Sequence, residues 1–320
     1  MVASAGDRVV VRFRKGPGAP ADWRADDAAT LSDVTGILES ADPDIRVRRG
    51  GESLRIPAEL VVAVKVLSDK PVRNSDIRSL EVAAARGWPG LESEMIDGWL
   101  VRAGGGFTRR ANSAVPLEMG ARLDSQTTER LRQWYTARDL PLLIAVVSRL
   151  IPSSHVPGAD YTCPVDVLTA PIGTTATSTA AHPVTISDQP SDEWIAAYTD
   201  RRTITDVSIA RDVVTASDGG HLCFAEVRDP EGAIVAIGRG AATTGLKDEV
   251  WLGVSALLTV PEHRGHGYGR SIMAAIEEWG ATAGAVATYL QVEATNQQAR
   301  EWYRRLGFGL HHSYGYIDSR

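Results

Sequence analysis

Residues 264–269 read Arg-Gly-His-Gly-Tyr-Gly, with glycine at every second position, and Pro261 stands just ahead of them. An apolar run at 257–260 leads in, and Ile272, Ala275, Ile276 and Trp279 recur behind it at helical spacing. The pattern is a strand, a glycine loop and a helix N-terminus. Glycine leaves backbone N–H groups uncovered, and a helix start carries the positive end of a dipole, so such a loop is built to hold phosphate oxygens. Arg264 and Arg270 add countercharge. The chemistry indicated is capture of a phosphorylated ligand.

A second block lies downstream: Asn296, Ala299, Tyr303, Gly307 and Phe308. The two blocks in this order, separated by one helix and one strand, resemble the GNAT superfamily of N-acetyltransferases. That family's signatures are Arg/Gln-x-x-Gly-x-Gly/Ala and Asn-x-x-Ala-x-x-x-Tyr-x-x-x-Gly-Phe. The resemblance covers residues 184–320 and implies an α/β fold with a mixed sheet and acetyl-coenzyme A as cosubstrate, without a metal. It assigns the pyrophosphate to Arg264, Gly265, His266, Gly267, Tyr268, Gly269 and Arg270. Pantetheine is expected along the backbone of Leu257, Leu258 and Thr259, which requires an open strand edge. Asn296 is expected to touch the cofactor, although the same residue type suits a helix N-cap.

Acyl transfer from a thioester to an amine makes three demands. The ammonium must lose a proton, the developing oxyanion needs a donor, and the leaving thiolate needs an acid. A backbone N–H near Thr259 is the donor that the resemblance implies, and Tyr303 stands where the family keeps its acid. Tyr303 also falls on an apolar helix face with Ala299 and Leu306, so a packing role uses the same residue. The base departs from the pattern: where many relatives carry glutamate, five residues before the asparagine, this chain has Gln291. Glu293 follows on the same side of a strand and is the preferred candidate, ahead of Glu249 and His266. Cys163 and Cys223 fall in neither block, which favours direct attack over a covalent intermediate. The expected activity is N-acetylation of a primary amine: a small amine, an amino acid such as glutamate, or a protein lysine or N-terminus. The alternative is a degenerate acyl-coenzyme A sensor. A nucleotide-binding loop is disfavoured, because no Gly-Lys-Ser/Thr follows the glycines.

These residues need elements to position them, and the 320-residue chain offers three expected segments. Residues 1–72 read as short strands, among them 8–13, 32–38 and a hairpin at 45–56, which suggests a small all-β barrel. Residues 16–29 read as a loop. Arginines 46, 48, 49 and 55 could form a basic face for a protein partner or simply solvate a half-buried sheet. Residues 73–180 read as a degenerate GNAT-like copy, with strands at 98–102 and 111–117, a helix at 123–137 and a strand at 142–147. In this copy Trp134 is followed thirteen residues later by Val147, as Trp279 is by Val292. Gly104, Gly105 and Gly106 join two strands and so read as a turn. Residues 152–183, rich in Pro, Ser, Thr, Ala and Gly, read as a boundary, after which 181–320 forms the cofactor-binding copy. The formal net charge of −6 argues against nucleic acid. No apolar run reaches the roughly 20 residues of a membrane span, and a cytoplasmic location is expected.

Overall fold

The computed structural model describes residues 3, 5–21, 29–49, 52–67, 72–151, 162–175, 182–200 and 206–318. They fall into two compact units, Met1–Pro71 and Val72–Arg320.

In the first unit Val9, Val11 and Phe13 are fully buried and alternate with more exposed neighbours, so β1 (Arg8–Arg14) has one core face. With β2 (Leu31–Ser40), β3 (Ile45–Arg49), β4 (Glu52–Ile56) and β5 (Val61–Val66) it forms a five-stranded antiparallel sheet in the order β4-β3-β2-β1-β5. The expected hairpin is the β3–β4 pair, with Arg49 opposite Glu52; Gly50, Gly51 and part of the expected 16–29 loop lie outside the described residues. Arg48 pairs with Glu39 at 3.6 Å and Arg55 with Asp44 at 2.6 Å, so those members of the basic cluster have acidic partners.

The second unit is built on an eight-stranded sheet. Its elements are α1 (Asn74–Gly87), β6 (Glu92–Ile96), β7 (Trp99–Ala103), β8 (Val115–Pro116), α2 (Ser125–Thr136), β9 (Leu143–Val147), β10 (Thr162–Pro171), β11 (Thr185–Ser187), α3 (Asp192–Thr199), α4 (Val207–Thr215), β12 (His221–Arg228), β13 (Ile234–Thr244), β14 (Val250–Thr259), α5 (Tyr268–Thr282), β15 (Ala285–Glu293), α6 (Gln297–Arg305) and β16 (Gly309–Asp318). The sheet order is β11-β12-β13-β14-β15-β10-β16-β9, and β6, β7 and β8 form a separate three-stranded sheet. Among the described residues, only β14 and β15 run parallel in the large sheet, joined across α5. A lone parallel bridge, Ala114 to Ile144, spans α2 in the same sense.

Several sequence expectations change here. The stretch read as a boundary holds β10, which pairs with β15 on one side and β16 on the other. Its polar composition masked a central stretch in which Val165 to Leu168 are all buried, with Ala170 beyond them. Residues 73–180 and 181–320 therefore share one sheet rather than meeting at residue 180. The strand expected at 111–117 shortens to β8, because Arg110–Asn112 coil into a 3-10 turn. The Asn112 side chain holds that turn: Oδ1 accepts from the N–H groups of Gly104 and Gly106, and Nδ2 donates to the carbonyls of Phe107 and Thr108. α4, β6 and β16 were not anticipated.

α5 lies on the sheet through Ile272, Met273 and Ile276, all fully buried. It approaches so closely that a Cβ on Gly238 of β13 would lie 2.5 Å from Ile272 Cγ2. Leu252 of β14, also fully buried, fills the adjoining space beneath Gly280. Leu252→Ala is expected to destabilise the protein by about 2–5 kcal/mol, read from the urea midpoint at constant slope. A loss below about 1 kcal/mol would mean that this part of the core does not hold α5 in place.

Candidate active site

β14 and β15 begin as a parallel pair, with a register shift between Val250 and Trp251, and then part. Their register runs from Val250 opposite Ala285 to Val254 opposite Leu290 and stops. The cause lies within β14. Ala256 has φ +52°, and the register with β13 passes from Ser255 opposite Arg239 to Leu258 opposite Ile237, a bulge with one extra residue on β14. β15 meanwhile continues to Glu293 against β10. Among the described residues, the last residues of β14 thus have no strand on that side. The Val260 N–H donates to the Val235 carbonyl, so by antiparallel alternation Leu258 is turned to β13, while Leu257 and Thr259 present backbone groups to the open edge. Of the three residues expected there, Leu258 is the one the ladder consumes.

Residues 264–269 follow at the end of this edge. Gly265 and Gly267 have φ +83° and +89°, and Gly267 caps α5 in the left-handed region, where a side chain would be strained. Among the described residues, no amide from Gly265 to Gly269 donates to a backbone carbonyl, so five N–H groups are available at the positive end of a 15-residue helix. The Arg264 guanidinium reaches back to the Thr259 carbonyl, with Nε 3.4 Å away, and Arg270 is exposed. His266 turns its Nδ1 to the His263 carbonyl at 3.3 Å. His182, unremarked in the sequence, closes over the loop. Its Nε2 is 2.7 Å from the His266 carbonyl and its ring centroid 4.1 Å from that of Tyr268.

Where the strands separate, a cleft of about 690 Å³ opens between Val254–Leu257 of β14, Leu290–Glu293 of β15 and the start of α6. Tyr303 and Asn296 both line it. The Asn296 Oδ1 accepts from the Ala299 N–H at 3.1 Å, so this residue caps α6 as its type allows, at the margin of the cleft. Tyr303 packs its ring between Trp302 and Phe308. Burial raises its phenol to about 12, so the hydroxyl keeps its proton at every ordinary pH. The Tyr303 ring is thus a packing contact, and the same residue lines the cleft.

Glu293 is the one carboxylate among the described cleft-lining residues, and its Oε1 lies 3.9 Å from Arg109 Nη1. Gln291, on the same face of β15, accepts a hydrogen bond from the Tyr314 hydroxyl at 3.0 Å. Glu249 lies at the other end of β14, held by Ser79 Oγ at 2.5 Å and the Lys247 N–H at 2.9 Å, away from the cleft. His266 belongs to the loop and does not line the cleft. Cys223 is buried in the core, and burial pushes its thiol up to about 12. Cys163, set aside with it, does line the cleft. So do Trp88, Arg109, Arg110 and Tyr198, which come from segments with no motif of their own.

A mixed sheet with one divergent parallel pair, a glycine loop at a helix N-terminus and a cleft where the strands part define an acyltransferase of the GNAT class. The family model described as "Probable histone acetyltransferase Rv0428c C-terminal" matches residues 74–317, and the chain belongs to that family. It is 34% identical over 317 residues to a Mycobacterium tuberculosis protein named "Probable histone acetyltransferase Rv0428c", covering 98% of this chain and 95% of that one. It is 25% identical over 242 residues to a Bacillus subtilis protein named "Uncharacterized N-acetyltransferase YobR", covering 73% of this chain and 94% of that one. A GCN5-related N-acetyltransferase structure from Kribbella flavida shares the fold, with TM-score 0.55 and 18% identity over 78% of this chain and 97% of that one. The chain is thus an acetyltransferase, and binding of acetyl-coenzyme A follows from its fold.

Gly267→Asp adds a side chain at φ +89° and a negative charge among the open amides. It is expected to weaken coenzyme A binding about tenfold or more, measured by calorimetric titration. Unchanged affinity would place the phosphates elsewhere.

Proposed function

We propose that this protein transfers the acetyl group of acetyl-coenzyme A to a primary amine by direct attack within the cleft. The open edge of β14 beyond the Ala256 bulge is the observation that carries the reading, because it leads from the loop at 264–269 straight to Glu293 and Tyr303. Gly265 to Gly269 and the two flanking arginines hold the pyrophosphate. Leu257 and Thr259 pair with the pantetheine amides, and an outward N–H of this edge stabilises the developing oxyanion. Glu293, directly or through a water, takes the proton from the ammonium. Tyr303 donates to the leaving sulfur, for which a phenol that burial keeps protonated is suited. Asn296 fixes the start of α6 and thereby the place of Tyr303.

Gln291 in place of an acid would also suit a protein that binds acyl-coenzyme A without turnover, and thiol release with a panel of amines separates the two. Tight cofactor binding with no turnover on any amine would favour the sensor. Tyr303→Phe is expected to lower kcat about 100-fold with little change in coenzyme A affinity; an unchanged rate would remove the acid role. In the unmodified protein kcat should stay level as pH rises to 10, the ordinary phenol value, because burial carries the Tyr303 loss of proton up to about 12. A fall centred at 10 would show an exposed phenol. Incubation with acetyl-coenzyme A alone should leave the protein mass unchanged, and an acetyl adduct on Cys163 would contradict direct attack.

A further inference from the structure

The inner wall of the cleft carries a cation with no anion to meet it. Arg110 lines the cleft and also borders Ser255 and Gln291, beside the last β14–β15 pair at Val254 and Leu290. Among the described residues its guanidinium has neither a hydrogen bond nor a carboxylate partner; it stacks on the Trp88 ring, 5.3 Å from the centroid. Two further guanidiniums stand behind it. The Arg239 Cζ is 4.7 Å from the centroid of the same ring, and its nitrogens donate to the carbonyls of Val214, Gly87 and Ala216. Arg102 donates to the carbonyls of Ser113 and Trp88 and to the Ser113 hydroxyl. None of these bonds ends on a carboxylate, and the buried Glu81 acts on Arg102 through space and not on Arg110. The fourth arginine, Arg109, sits at the rim against Glu293, the one acidic side chain of the described lining.

Partly buried cations cost solvation unless something balances them, and a planar guanidinium open to a cleft matches a carboxylate bidentately. This positive cleft lies in a chain of net charge −6, so its sign is a local feature. We infer that the acceptor is an amine that itself bears a carboxylate, as a free amino acid does, held by Arg110 at the inner wall with Arg109 at the rim. The inference rests on the acetyl-transfer reading above and narrows its acceptor. A lysine-rich protein tail would meet the same arginines as like charges.

The test uses the full chain with acetyl-coenzyme A and matched acceptors: L-phenylalanine with L-phenylalaninamide, L-leucine with L-leucinamide, and a lysine-rich peptide. Thiol release is expected to favour each acid over its amide by about 10- to 100-fold in kcat/KM. Arg110→Gln should abolish this preference through KM while leaving coenzyme A affinity unchanged, and Arg110→Lys should restore part of it. Arg109→Gln, at the exposed rim, should reduce it only about 2- to 5-fold. Amides or peptide matching the acids, or a preference that survives Arg110→Gln, would overturn the inference while leaving acetyl transfer intact. An equal loss of kcat with every acceptor would make Arg110 an oxyanion donor instead. If no acceptor turns over, the acetyl-transfer reading fails by itself. Calorimetric titration of the same acids and amides into the coenzyme A-loaded protein then decides. Binding of acids only, lost in Arg110→Gln, supports the carboxylate subsite, and no binding of either acid overturns it.

Discussion

One extra residue in β14 sets most of what this protein can do. Two parallel strands that stayed paired would bury their backbone groups in each other and leave nothing for a ligand. The bulge at Ala256 turns β14 off its neighbour after Val254, and the backbone groups released at Leu257 and Thr259 need a partner of another kind. The divergence holds because β15 does not follow. It is held on its far side by β10, in a register that runs unbroken from Ala287 to Glu293. α5, seated against Gly238, brings its N-terminus and the loop at 264–269 to the mouth of the gap. The loop with its open amides and the unpaired strand edge are therefore two ends of one feature.

The other wall comes from the earlier part of the second unit. Asn112 gathers the backbone of residues 104–108 with four hydrogen bonds, and the chain beyond it carries Arg109 and Arg110 into the cleft. Arg239 ties the C-termini of α1 and α4 to β13 through three carbonyls, which is where a cation complements the helix dipole. The segment with no glycine ladder thus supplies one wall of a cleft whose other wall comes from β14, β15 and α6.

The strand, glycine loop and helix start were legible in the sequence because their pattern is local. Alternating glycines, a helix start and a nearby tyrosine need only short-range spacing to be recognised. Glu293 could be placed on the same face as Gln291 from strand alternation alone. The opposite wall of the cleft was not legible. Trp88, Arg110, Tyr198 and Cys163 are far apart in the chain: Trp88 and Tyr198 meet in a core cluster with α3 and α4, Arg110 stacks on Trp88, and Cys163 arrives on β10. β10 itself was hidden by a composition that resembles a linker, and the shared sheet was hidden with it. Leu258 shows a finer gap: the motif marks the edge, but the bulge decides which of its amides face outward.

The most direct test of this account is amide hydrogen exchange on the full chain with and without coenzyme A. The open-edge account predicts slower exchange at Leu257 and Thr259 and across residues 264–270 when coenzyme A is added. Leu258, already committed to β13, and β9 should change little. Protection that leaves 257–270 untouched, or that falls equally on Leu258, would contradict the claim that the divergent end of β14 holds the cofactor.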